Sequence, residues 1–482
     1  MKIVHHSRSN RRHTMVGVVT ILTVGGLALS GCSNSRAGTS TATSTSDQNP
    51  AAASSSTSGP ESASSAVSAS TKCDLSAYTN AKIDWKQQAG KTVTLAVEEH
   101  PWWETVKPQI SCFEELTGIT VTPSVLGEDQ FVAKLPTQLS GGSDTPDIFM
   151  VNQYGQAQGS GWLQPLNSYL DDPKLTDPSW YDVKDFFPGA QAFAKTDDKY
   201  LAMPITAEAQ MLFIRDDLVK KAPTTMAELN AAAAAANKDG VAGFGSRAVA
   251  NANETPWPFA GFAFSDGGQY VNDGGKPMLD SDANVKALQT YSDLISKYGA
   301  KGASGWGFLQ NQQAMQQGKL AIWTDSSTFL GSLKDSGKSK NGKEINAYPF
   351  PAGASGKSLP NAWFWTVGMN AKSKVKDASW LFLQWATSLP ISKLGAAEGA
   401  SPARQAAWDS PEASKAIGEE NAKRVKGAIA SVDSSFMAHA WKNNSWNQVA
   451  DALARAVNSA VTGGDASAAL KKAQDTAVTV LK

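Results

Sequence analysis

The chain has 482 residues, 44 basic and 44 acidic side chains and 41% hydrophobic residues. Lys2, Arg8, Arg11 and Arg12 precede every acidic residue, and setting these four aside leaves 40 basic against 44 acidic, a mildly acidic body that argues against a nucleic-acid partner. Three cysteines in so long a chain exclude a disulfide-dense scaffold, and only His100 and His439 lie beyond the first 13 residues, which disfavours a metal carrier.

After the basic start comes an apolar run over residues 15–29, in the charge-then-hydrophobe order of a secretory signal. It is too short to span a bilayer comfortably. The run ends in Leu29-Ser30-Gly31-Cys32, which resembles the bacterial lipobox. That resemblance implies a signal peptide over 1–31, a lipid on the Cys32 thiol, and a protein anchored on the extracellular face of the cell membrane. Residues 33–72 hold 14 Ser and 6 Thr, no aromatic residue and only Val67 as a sizeable apolar side chain. Such a segment cannot bury enough surface to fold. We read 32–74 as a disordered linker with an r.m.s. reach of roughly 35 Å.

The remainder is longer than one hydrophobic core usually serves, so two lobes are expected. Cys73 and Cys112 are an even pair outside the cytoplasm, which points to a disulfide rather than to a catalytic or metal site. Residues 92–97 read as a buried strand. A helix follows with Val106, Ile110, Phe113 and Leu116 on one face, Pro108 in its first turn and Gly118 as its stop. Then come a strand at 119–126, a helix at 129–139 and a strand at 147–151, an alternation that predicts a parallel sheet with ligand at the carboxyl ends of its strands. That puts residues 98–103 and 152–154 at a candidate site.

Further on, strands are expected at 200–205 and 210–214 around a loop at 206–209, and a helix at 226–237. A helix carrying Val285, Leu288, Tyr291, Ile295 and Tyr298 on one face follows, then a helix at 310–317 and strands at 320–324, 345–350 and 363–369. Residues 376–482 read as almost wholly helical.

In order along the chain, several stretches carry a family likeness: Phe113-Glu114-Glu115-Leu116-Thr117-Gly118-Ile119-Thr120-Val121, Ser140-Gly141-Gly142-Ser143 with Pro146-Asp147-Ile148, Gly161-Trp162-Leu163-Gln164-Pro165-Leu166, Met203-Pro204-Ile205, residues 210–218, residues 315–323 and residues 348–353. The chain resembles the family 1 extracellular solute-binding proteins of ABC importers, the maltose-binding-like group. The resemblance implies an α/β, two-lobe periplasmic-binding-protein fold of type 2 with a three-crossing hinge near residues 205, 324 and 370. The N-terminal lobe would be 75–205 plus 325–369, and the C-terminal lobe 206–324 plus 370–482. It also implies a monomeric receptor without cofactor or catalytic activity. Such a receptor captures a mono- or oligosaccharide or a polyol and delivers it to the transmembrane subunits of a permease. Ile205 stands where many members carry an aromatic residue, and Asp325-Ser326-Ser327 replaces a common Gly-Pro-Trp.

Sugars offer flat C–H faces to aromatic rings and hydroxyls to polar side chains. On that chemistry the candidate ligand-binding residues are His100, Trp102, Trp103, Asn152, Glu208, Trp257, Trp306, Asp325, Trp363, Trp365 and Arg404. Trp363 and Trp365 are two apart on a strand and share a face, with Phe364 on the other. Trp380 and Trp385 are assigned to the core. Arg404 enters through the resemblance, at a position that reaches the cleft in sugar and polyol binders. Two rivals remain. A polyamine binder would use Glu98 and Glu99 beside Trp102. An exported glycoside hydrolase would need two carboxylates at a set separation.

Overall fold

A computed structural model describes residues 73–432 and 440–481. The signal segment, Cys32 and most of the linker lie outside the described residues, as does His439. The main sheet has the strand order β2-β1-β3-β10-β6-β8-β7. Its strands are β1 (Thr92–Glu98), β2 (Thr120–Leu126), β3 (Ile148–Met150), β6 (Met203–Arg215), β7 (Ala242–Gly245), β8 (Leu320–Ser326), β9 (Ile345–Pro349) and β10 (Ala362–Met369). A separate hairpin pairs β4 (Lys195–Thr196) with β5 (Lys199–Tyr200). Cys73 and Cys112 are joined by a disulfide with Cα atoms 5.3 Å apart.

The expected parallel arrangement holds for β1, β2 and β3, with Thr92 opposite Thr120 and Leu95 opposite Ile148. β10 then enters antiparallel to both β3 and β6, so the sheet is mixed. The most consequential difference from the sequence reading lies in β6. Two strands and a loop are expected there, but all 13 residues form one fully buried strand. Its first half pairs with β10, and its second half pairs with β8 on one edge and β9 on the other. The residues taken for a loop, Thr206-Ala207-Glu208-Ala209, are small or β-branched around one carboxylate, and full burial makes them strand. Pro204 has no N–H to give to the ladder, and the pairing accommodates it with a bulge between Trp365 and Thr366.

The first long helix also differs. Helix Pro101–Val106 starts directly after the β1 edge and passes through a 3₁₀ turn, Lys107–Gln109, into helix Ile110–Thr117. Pro108 therefore sits at the joint, not in a first turn. Gly118 stops the helix in the left-handed region, at φ 69°. Around the first half of the sheet, Phe113, Phe382 and Trp385 pack ring to ring. Around the second, Phe262 packs on Tyr291 and Phe350. Trp380 and Trp385 are fully buried. Among the described residues no helix is long and apolar enough to cross a membrane.

Candidate functional site

The site begins at the carboxyl end of β1. Glu98 is its last residue, and the chain turns at Glu99 and His100 into helix Pro101–Val106. His100 is the helix N-cap: its Nδ1 accepts the Trp102 backbone N–H at 3.2 Å. The same turn places Trp102 and Trp103 on the buried face of the helix. The carboxyl end of β3 delivers Asn152, Gln153 and Tyr154. From β10 come Trp363 and Trp365, on the face opposite the fully buried Phe364.

These groups border a cavity of about 350 Å³ that Glu128, Glu208, Arg247, Trp257, Phe308 and Phe329 complete from other elements. Trp441, Asn443, Asn444 and Trp446 close a further side. That last segment lies tight on the helix Tyr154–Gly159, where a Cβ on Gly155 would stand 2.5 Å from the Asn443 carbonyl oxygen. Glycine is required there by close backbone approach. Lys442 Nζ donates to the Lys195 carbonyl at 2.6 Å and holds the segment from its other flank.

The aromatic wall is continuous. Trp363 meets Trp365 at 5.7 Å and Trp441 at 5.0 Å, both edge to face, and His100 packs on Trp365 at 5.0 Å. Phe308 and Phe329 stack at 5.4 Å on the far side.

The polar groups are unusual for their burial. Burial pushes the Glu98 carboxyl up to about 8, with the Glu128 charge adding to it. Glu98 is 3% exposed, and its Oε1 has no protein partner. The Asn152 amide donates to Glu128 Oε1 at 3.2 Å. Burial raises the Glu208 carboxyl to about 7, against hydrogen bonds from Ser326 and Thr206 and the charge of Arg247. His100 is held down to about 3 by burial, so it is neutral. With Nδ1 accepting, its proton sits on Nε2, 3.9 Å from Glu208 Oε1. Arg247 clamps Asp325 through Nε at 2.9 Å and Nη2 at 2.6 Å. Its Nη1 lies 3.5 Å from Glu254, and its guanidinium 5.5 Å from the Trp257 ring. Burial opposes the Arg247 charge, but Asp325, Glu254 and Glu128 outweigh it and strengthen its hold on the proton.

The cavity thus gathers His100, Asn152, Glu208, Trp257, Trp363 and Trp365 from the sequence candidates. Five others lie off its wall. Trp102 and Trp103 are buried on the inner face of their helix, and Trp102 Nε1 donates to the Ala386 carbonyl at 3.2 Å. Trp306 follows a 3₁₀ turn, and its carbonyl accepts the backbone N–H groups of Ala248 and Val249. Asp325 is fully buried beneath Arg247. Arg404 is a brace elsewhere: Nε and Nη1 donate at 2.7 Å to the carbonyls of Thr387 and Asp182, with Asp185 at 3.4 Å. Its guanidinium lies 4.1 Å from the Phe186 ring. Glu208 is a strand residue, not a loop carboxylate, and Trp257 opens the helix Pro256–Ser265 instead of a loop.

Sequence reasoning missed Arg247, Glu128, Trp441, Asn443, Asn444 and Trp446. The only local signal was the cluster of amide residues Asn443-Asn444 between two tryptophans. Among the described residues no group of His, Cys, Asp and Glu could hold a metal ion.

Residues 85–390 match the family described as bacterial extracellular solute-binding protein. The erythritol/L-threitol-binding protein of Mycolicibacterium smegmatis is 26% identical over 373 residues, 70% of this chain and 77% of that protein. The mannitol-binding protein of Pseudomonas aeruginosa is 27% identical over 318 residues, 64% of this chain and 71% of that one. A solute-binding protein of Agrobacterium radiobacter in complex with ribitol superposes with a TM-score of 0.73 at 23% identity, covering 81% of this chain and 99% of its own. One of Agrobacterium vitis with bound D-mannitol gives 0.71 at 25% identity, covering 80% and 97%. A mixed sheet entered by β10, an aromatic-walled cavity with buried polar groups at its strand ends and these likenesses agree: the chain belongs to the bacterial extracellular solute-binding protein family.

Proposed function

We propose that this protein is the extracellular receptor of an ABC importer and takes up a small sugar or polyol in the cavity between its lobes. It delivers the ligand to the permease and does no chemistry on it. One observation carries the ligand class. Of the buried polar side-chain atoms without a protein partner among the described residues, several belong to residues bordering this one cavity. They are donors (Trp257 Nε1, Trp363 Nε1), a carboxyl oxygen (Glu98 Oε1) and the Thr328 hydroxyl, which can do either. A buried polar atom left unpaired costs about 1 to 3 kcal/mol. A ligand that both donates and accepts at many points relieves such a mixed set, and a polyhydroxylated molecule does so while laying C–H faces on the tryptophans.

A volume of about 350 Å³ suits one sugar ring or a short polyol better than a long oligosaccharide. The ligands named for the relatives, erythritol, threitol and mannitol, support the same class. In this reading β6, β8 and β10 are the hinge crossings between the lobes, with helix Lys376–Ala386 packed on the lobe that holds Phe113, and closure over ligand makes the surface that the permease receives. The lipid on Cys32 and the linker after it keep the receptor near that permease.

Thermal unfolding with ribitol, D-mannitol, erythritol, maltose and spermidine tests the ligand class. A ligand at about 100 times its Kd adds about 2.7 kcal/mol of stability, and at least one sugar or polyol should raise the midpoint accordingly. A rise with spermidine alone would reject the reading.

A further inference from the structure

Carboxyl groups outnumber cationic side chains in the cavity. Glu98, Glu99, Glu128 and Glu208 line it, and Arg247 is the one cationic side chain among its lining residues. Arg247 is already engaged by Asp325 at 2.6 Å and by Glu254 at 3.5 Å. His100 is neutral, and two of the carboxyl groups meet at the corner formed by Glu98, Glu128 and Asn152. There the Asn152 amide is the shared donor between two buried carboxyls, within reach of both. Glu98, 3% exposed, keeps Oε1 without a partner.

We infer that this corner is a subsite for a protonated amine, so that the physiological ligand is a sugar or polyol bearing an ammonium group. The inference rests on the sugar or polyol reading and adds the charge to it. An ammonium brings a positive charge, three donors and no acceptor, which suits a pair of carboxyls once Glu98 gives up its proton. A hydroxyl brings one donor and no charge. Elsewhere on the cavity wall the unpaired Trp257 and Trp363 N–H groups need acceptors. A simple polyamine has none to offer once protonated, whereas the hydroxyl oxygens of an amino sugar or amino polyol do.

The pH dependence follows. The groups facing Glu98 are Glu128, the first residue of helix Glu128–Ser140, and the Asn152 amide, with Glu99 and His100 adjacent in sequence. Arg247, Glu254 and Asp129 act on Glu128 from further out. An ammonium favours the ionised form of Glu98, so binding expels a proton from it. Affinity for the amine should rise as pH goes from 6 to about 8, where Glu98 otherwise gives up its proton.

The test is calorimetry on the full chain with matched pairs: D-glucitol and 1-amino-1-deoxy-D-glucitol, ribitol and its 1-amino form, and D-glucose and D-glucosamine, beside spermidine. For at least one pair the amine should bind about tenfold or more tightly than its neutral partner at pH 7.5. Titrations in buffers of different ionisation enthalpy should show proton release for the amine. Glu98→Gln should bring the ratio of the two affinities close to one, and Glu128→Gln should lower it as a second, independent variant. Neutral members binding as tightly as their amines, or a ratio untouched by both variants, overturns the inference and leaves the sugar or polyol reading standing. Binding of no member of any pair overturns the inference, and binding of spermidine alone, with no sugar or polyol raising the unfolding midpoint, overturns both.

Discussion

Arg247 and Arg404 look alike by burial, at 8% and 1% exposed, and both lie against a carboxylate and two aromatic rings. Their commitments differ. Arg404 gives its N–H groups to the carbonyls of Thr387 and Asp182, and so ties the segment before helix Pro188–Ala194 to the end of helix Lys376–Ala386. Arg247 is neutralised by one fully buried carboxylate, Asp325, and the plane so fixed forms part of the cavity wall. Burial and pairing alone do not distinguish a brace from a binding group. What distinguishes them is whether the partners are backbone segments to be held together or a side chain whose purpose is to orient the cation.

That contrast breaks if the two arginines respond alike. Arg404→Met removes a buried charge from between two carbonyls and Asp185, and should lower the unfolding free energy by about 3 to 5 kcal/mol in denaturant titration. Ligand affinity of the protein that remains folded should be unchanged. Weaker binding at wild-type stability would return Arg404 to the site. Arg247→Met leaves Asp325 buried and unpaired, and a loss of about 3 kcal/mol is expected, together with a loss of affinity. Adding Asp325→Asn should recover much of the stability while binding stays weak. If affinity returns with stability, Arg247 is only a brace and the distinction fails. The smallest effect sharpens the picture from the aromatic side. Trp365 is half-buried, so Trp365→Ala should weaken ligand binding by about 2 kcal/mol, roughly 30-fold, and cost less than that in stability.

The same pair of arginines marks how far the sequence was legible. Trp363 and Trp365 were readable because strand alternation is a local rule, and Phe364 between them falls into the core as the alternation requires. Glu98, His100 and Asn152 were placed by a rule nearly as local, that ligands gather at the carboxyl ends of parallel strands. Arg247 lies in an irregular stretch after β7, and its partner Asp325 is 78 residues away on β8. No periodicity connects them. Arg404 failed for the opposite reason: a loop arginine before a helical run fits a ligand fork and a structural brace equally well, and only the positions of Thr387 and Asp182 decide. The sequence reading splits β6 into two strands and leaves Glu208 in the loop between them. Ser326, Thr206 and a carboxyl raised to about 7 by burial explain how it is tolerated in the strand.

The Cys73 to Cys112 link has a mechanical consequence. It encloses β1 and the turn that carries Glu98, Glu99 and His100 in a covalent loop. Tension applied to the chain ahead of Cys73 passes through sulfur to the helix Ile110–Thr117. The residues in between carry no load, because the loop cannot be drawn out while its ends are bonded. A pull applied at Cys73 therefore bypasses the strand that holds one wall of the cavity.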